Sequence, residues 1–150
     1  MKQQASRVLA MMALTFFLGA ACGGGGYDGG SPTTPGGGSG SGAVGATITI
    51  RSDGTLQPNE VRIAPGERVR FINQDGRQHQ PTSNPHLVHT DCPAANLPIM
   101  ANGDSMNTGV FDRTVVCGIH DHLNPDAATL QGTIRVGNAE GPGGPVYVKH

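Results

Sequence analysis

Apolar and polar residues alternate one for one through the first half of the chain, and a two-residue period dictates extended backbone with one buried face. In "ATITIRS" (46–52), Ile48 and Ile50 alternate with Thr47, Thr49 and Arg51. "NEVRIAPGERVRFINQDG" (59–76) repeats the pattern twice: Val61 and Ile63, a turn at Pro65-Gly66, then Val69 and Phe71, closed by Asp75-Gly76. "GVFDRTVVC" (109–117) and "LQGTIRV" (130–136) are predicted as later strands. No window holds a sustained helical period. Short strands with turn signals over roughly 90 residues predict an all-β domain, a small sandwich or barrel. Trp is absent and Phe occurs four times, so Ile, Val and Leu must supply most of the core.

The N-terminus reads differently. "MKQQASR" is a basic start, and "VLAMMALTFFLGAA" is an apolar run too short for a comfortable membrane span. Residues 1–21 are therefore expected to be a signal peptide. Small residues meeting Cys22 resemble a bacterial lipoprotein lipobox, although Leu18 stands four residues before the cysteine, where the usual pattern has three. A lipid on Cys22 would anchor the protein to a membrane without spanning it. Residues 22–45, nearly all Gly, Ser, Pro and Thr, read as a flexible tether. The expected location is outside the cytoplasm, facing periplasm or cell exterior.

Charge excludes one class of partner. Ten basic side chains stand against eleven acidic ones, and loss of Lys2 and Arg7 with the signal moves the balance from −1 to −3. That leaves no basic footprint for nucleic acid.

The histidines are not scattered. His79, His86 and His89 lie in the Pro-, Asn- and His-rich segment 76–108, and His120 and His122 follow Cys117; His150 ends the chain. A 33-residue segment of this kind is long for a structureless loop, so it is suspected of building a site. Thiolate with imidazole suits copper, and two His with one Cys make the electron-transfer version of such a site. Cys117 is open to a second fate. An exported protein with two remaining cysteines, Cys92 and Cys117, can pair them, and the thiolate is then gone.

"GTLQPNEVRIAPGERVRFINQDGRQH" (54–79) resembles the front half of a cupredoxin (blue-copper, plastocyanin-like) domain, and "VVCGIH" with "LQGTIRV" resembles its back half. The resemblance covers about 46–137 and leaves 138–150 as a flexible tail. It implies a cupredoxin-like Greek-key β-sandwich holding one type 1-like copper ion through His79, Cys117 and His120. The usual axial Met is replaced by Leu130, next to Gln131, and no Met follows Cys117. His120 matches the family spacing, with His122 as substitute, and only one of the two is expected to face the metal. His86 and His89 are open to three readings: a separate site, a hydrogen-bonding role behind the ligands, or solvent. The implied role is one-electron transfer with unidentified redox partner proteins, as a monomer and without catalysis. The rival reading is a structural or copper-holding module stapled by Cys92–Cys117, with a histidine-only metal site. Paired carboxylates and phosphate-cradling loops are not evident, and Cys117 with His120 lacks the supporting motif of a Cys–His hydrolase.

Overall fold

The structure is a computed structural model and describes residues 42–147. The signal segment, Cys22, most of the tether and His150 lie outside the described residues.

Among the described residues, eight strands form two four-stranded sheets. The strands are β1 (Val44–Ile50), β2 (Leu56–Gln57), β3 (Glu60–Ile63), β4 (Arg68–Asn73), β5 (Pro81–Ser83), β6 (Ser105–Asn107), β7 (Val115–Asp121) and β8 (Gly132–Val136). One sheet runs β2-β1-β4-β6 and the other β3-β8-β7-β5. The pairs β1/β4 and β3/β8 are parallel, with Ile48 opposite Phe71 and Val61 opposite Ile134. The remaining ladders are antiparallel. Among the described residues the only helical pieces are two 3-10 turns, Pro93–Ala95 and Ala128–Leu130.

The alternation places the core as expected. Ile48, Ile50, Val69 and Phe71 from one sheet meet Ile119, Ile134 and Val136 from the other, all essentially without solvent contact. Each such side chain contributes about 1.5–3 kcal/mol relative to exposure. Leu130 and Met100 are also core residues.

Two features differ from the sequence reading. First, β7 does not end at Cys117 but continues to Asp121. Its far half is held by β5, which pairs Ser83 with Ile119, Thr82 with His120 and Pro81 with Asp121. β5 is only "PTS", too short and too polar to show a period. Second, the expected flexible tail is tied down along part of its length. Gly118 N–H donates to the Gly143 carbonyl (2.6 Å), and Asn84 Nδ2 donates to the Gly144 carbonyl (2.9 Å).

Candidate metal centre

β7 carries chemistry on both faces. Successive side chains of a strand point to opposite sides, so residues two apart share one. Cys117, Ile119 and Asp121 share the face that holds the core, and Gly118, His120 and the following His122 take the other. The histidine pair thus projects together, against the expectation that only one would face a metal.

On the inner face, Cys117 is bonded to Cys92, with their Cα atoms 5.8 Å apart. Cys92 lies three residues after His89 and Cys117 three before His120, so the disulfide ties the two histidine-bearing segments together. Four residues along β7 from Cys117, Asp121 meets His79, which is fully buried. His79 Nδ1 lies 2.9 Å from Asp121 Oδ2, and His79 Nε2 lies 2.9 Å from Asp75 Oδ2. The Arg77 guanidinium, then His79, holds the Asp75 carboxyl below its usual value. Burial raises Asp121, but the Gln80 N–H, Asn124 and His79 outweigh it and hold it low. Both carboxylates are ionised and only accept. Both ring nitrogens of His79 are thus engaged by carboxylate oxygens, and neither faces an open ligand position.

The outer face collects four imidazoles. His86, His89, His120 and His122 each bring one ring nitrogen to within 4.8 Å of the others. His86 Nδ1 is 3.3 Å from His120 Nε2, and His122 Nδ1 is 3.1 Å from His89 Nε2. His120 is buried, and the other three are half-buried. The loop after β5 supplies His86 and His89. Its backbone enters the left-handed region at two non-glycine residues, Leu87 (φ 75°) and His89 (φ 50°), a conformation uncommon outside glycine. Asn96 holds the loop down by accepting from Ser83 N–H (2.8 Å) and donating to the His89 carbonyl (3.0 Å).

The surroundings disfavour charge on two of the four imidazoles. Burial, then the neighbouring His89, His86 and His122, lowers the His120 pKa to about 4. Burial, then His122 and His86, lowers that of His89 as well. Neutral imidazole is the form that binds metals. Two nitrogens on one tetrahedral ion with bonds of about 2.0–2.1 Å stand about 3.3–3.4 Å apart, so pairs at the 4.8 Å limit need close by about 1.4 Å, within the reach of side-chain rotation. The donor set fits a single Cu(II) or Zn(II) ion.

The sequence-derived set His79, Cys117 and His120 is therefore not brought together. Cys117 is consumed by the disulfide because β7 runs on past it and turns it into the core. His79 is consumed by two carboxylates. His120 does reach a donor cluster, joined by its expected substitute His122 and by His86 and His89. Leu130 packs in the core, and Gln131 Nε2 donates to the Pro125 carbonyl. Sequence reasoning missed Asn84, whose Oδ1 accepts from His120 Nδ1–H at 2.8 Å, and Asp121 as the partner of His79. "SNPH" offered only a turn signal, and "HDH" drew attention to its histidines alone.

No family model matches the sequence, and no curated protein matches it. Solved structures do. A mutant plastocyanin of a fern superposes with a TM-score of 0.50 at 16% identity, covering 61% of this chain and 99% of that one. A copper-containing nitrite reductase from Thermus scotoductus SA-01 gives a TM-score of 0.50 at 17% identity, covering 65% of this chain and 23% of that chain. A purple cupredoxin from Nitrosopumilus maritimus gives 0.49 at 22% identity, covering 61% and 99%. The likeness is one of fold: the domain is a cupredoxin β-sandwich.

Proposed function

We propose that this cupredoxin-fold domain is a copper-holding module, with one ion bound by His86, His89, His120 and His122 and the Cys92–Cys117 disulfide as a structural staple. The observation that carries the reading is the convergence of four imidazole nitrogens within 4.8 Å, with His120 oriented from behind by Asn84. A metal-binding His commonly gives its other ring N–H to such an acceptor. Bound copper would supply a Lewis-acidic centre able to take up one electron. The chain's own residues hold it in nitrogen ligands alone, which suit Cu(II), whereas Cu(I) favours sulfur. That favours holding the ion over cycling it. One-electron transfer at His79, Cys117 and His120 would require reduction of the disulfide and release of His79 from Asp75 and Asp121.

The disulfide supports export to an oxidising compartment. No helix among the described residues is long and apolar enough to cross a membrane. Attachment is assigned to a lipid on Cys22, with the domain a monomer facing periplasm or exterior and its protein partners unidentified. Incorporation of labelled fatty acid, lost in Cys22→Ala, tests the anchor.

Copper titration tests the site. Metal-free protein with its disulfide intact should bind one Cu(II) with weak visible absorption and an electron paramagnetic resonance spectrum split by several nitrogens. An intense thiolate-to-copper band that disappears in Cys117→Ser would overturn the reading, as would failure of the oxidised protein to bind.

A further inference from the structure

Asn84, the last residue before the histidine loop, is 3% exposed and uses every hydrogen-bonding group it has. Its N–H donates to the Gly118 carbonyl (3.0 Å), and its carbonyl accepts from Asp91 N–H (3.0 Å). Its side chain faces two partners of opposite demand. The Gly144 carbonyl, 2.9 Å away, can only accept, so the amide NH₂ must face it. The amide oxygen is thereby turned toward His120 Nδ1 (2.8 Å) and can only accept in turn. His120 must then carry its proton on Nδ1, which leaves the Nε2 lone pair facing His86 and the cluster. A backbone carbonyl in the C-terminal segment thus dictates, through one amide, the tautomer of a histidine 24 residues upstream.

The same segment touches the site twice more. His86 N–H donates to the Val146 carbonyl. Tyr147 sets its ring edge-on to His86 at 5.5 Å between centroids, and its hydroxyl donates to Asp126 Oδ1 (2.8 Å) in the β7–β8 loop. The strap can lie so close because Gly143 meets Gly118 backbone to backbone. A Cβ on Gly143 would come within 2.7 Å of both Gly118 Cα and N.

We infer that Asn84 is a positioning residue for the four-histidine site, and that the strap 141–147 holds Asn84 in its working orientation. The inference rests on the copper-holding reading above. The strap fixes the donor nitrogen of His120 and the backbone of His86, so its docking and metal binding reinforce each other: loss of either loosens the other.

The test begins without metal. Nitrogen-15 spectra of the imidazoles in the metal-free protein should show His120 as its Nδ1–H tautomer. Asn84→Ala should mix the tautomers and weaken copper binding about 10–100-fold. Asn84→Asp keeps an acceptor for His120 but loses the donor to Gly144. It should retain the tautomer while residues 141–147 lose amide-exchange protection. Gly143→Ala lies outside both sheets and carries the test if an Asn84 variant fails to fold. It should release the strap, mix the His120 tautomers and weaken copper binding. A wild-type His120 protonated on Nε2, or a tautomer indifferent to both Asn84→Ala and Gly143→Ala, overturns the inference. A wild type with the expected tautomer that binds no copper overturns the copper-holding reading and leaves the positioning role of Asn84 standing.

Discussion

His79 Nδ1 stands 2.9 Å from Oδ2 of Asp121, and Asp121 is the residue between two of the four clustered histidines. The buried pair fixes the end of β7 from within, while His120 and His122 leave the strand on the other side. Asp121 Oδ1 also accepts from Gln80 N–H at 2.7 Å, which ties β7 to the approach of β5.

His79→Ala therefore separates the two roles. It removes one hydrogen-bond partner each from Asp75 and Asp121 and leaves a cavity, and should cost about 1–3 kcal/mol, the scale for depriving buried polar groups of a partner. The four outer imidazoles remain. The urea midpoint should fall while the variant still binds one copper ion under folded conditions.

Acid should destabilise the metal-free protein over a defined window. The pKa of His120 is about 4 in the fold against 6.5 for the free side chain, so the unfolded chain binds the extra proton first. The stability that neutral His120 contributes is fully present above about pH 6.5 and is lost as pH falls toward about 4. The loss is on the order of 3 kcal/mol. Denaturant titrations at pH 7, 5.5 and 4 check the slope. His120→Ala should flatten it.

Removing the disulfide should lower stability and loosen the site together. Cys92 and Cys117 are 25 residues apart, and closing a loop of that size contributes about 3 kcal/mol. In Cys92→Ala/Cys117→Ala the histidine loop loses its covalent tie to β7, so copper affinity should drop along with the unfolding midpoint. Alkylation of denatured, metal-free wild type should label no thiol at either position until reductant is added.

Copper should stabilise the folded domain by mass action. At a free concentration 100 times its Kd the gain is about 2.7 kcal/mol, and chelation should reverse it. His120→Ala should lose most of this gain. Calorimetric scans with and without metal provide the comparison.

The sandwich was legible because its core strands alternate cleanly. Val61 and Ile63, then Val69 and Phe71, declared the inner face before any contact was known. The site was legible only in its ingredients. The segment 76–108 was suspected of building a site, and it supplies His86 and His89 to the histidine cluster. Two facts decided how the ingredients combine, and neither has a local signature. One is the three-residue β5, whose pairing carries β7 past Cys117. The other is the long-range meeting of His79 with Asp121, 42 residues apart. Family spacing pointed to Cys117 as a ligand, whereas cysteine parity in a chain read as exported pointed to the bond that forms.

The two-sidedness of β7 has a practical consequence for anyone redesigning the protein. Cys117, Ile119 and Asp121 answer to the interior, and Gly118, His120 and His122 answer to the loop and strap laid over them. Under the proposed copper-holding role, His120 and His122 are the positions to exchange to retune metal preference, while the inner register goes on holding the two sheets together. The outer register is open to exchange, whereas Cys117 on the inner register serves two masters, the core it fills and the histidine loop it tethers.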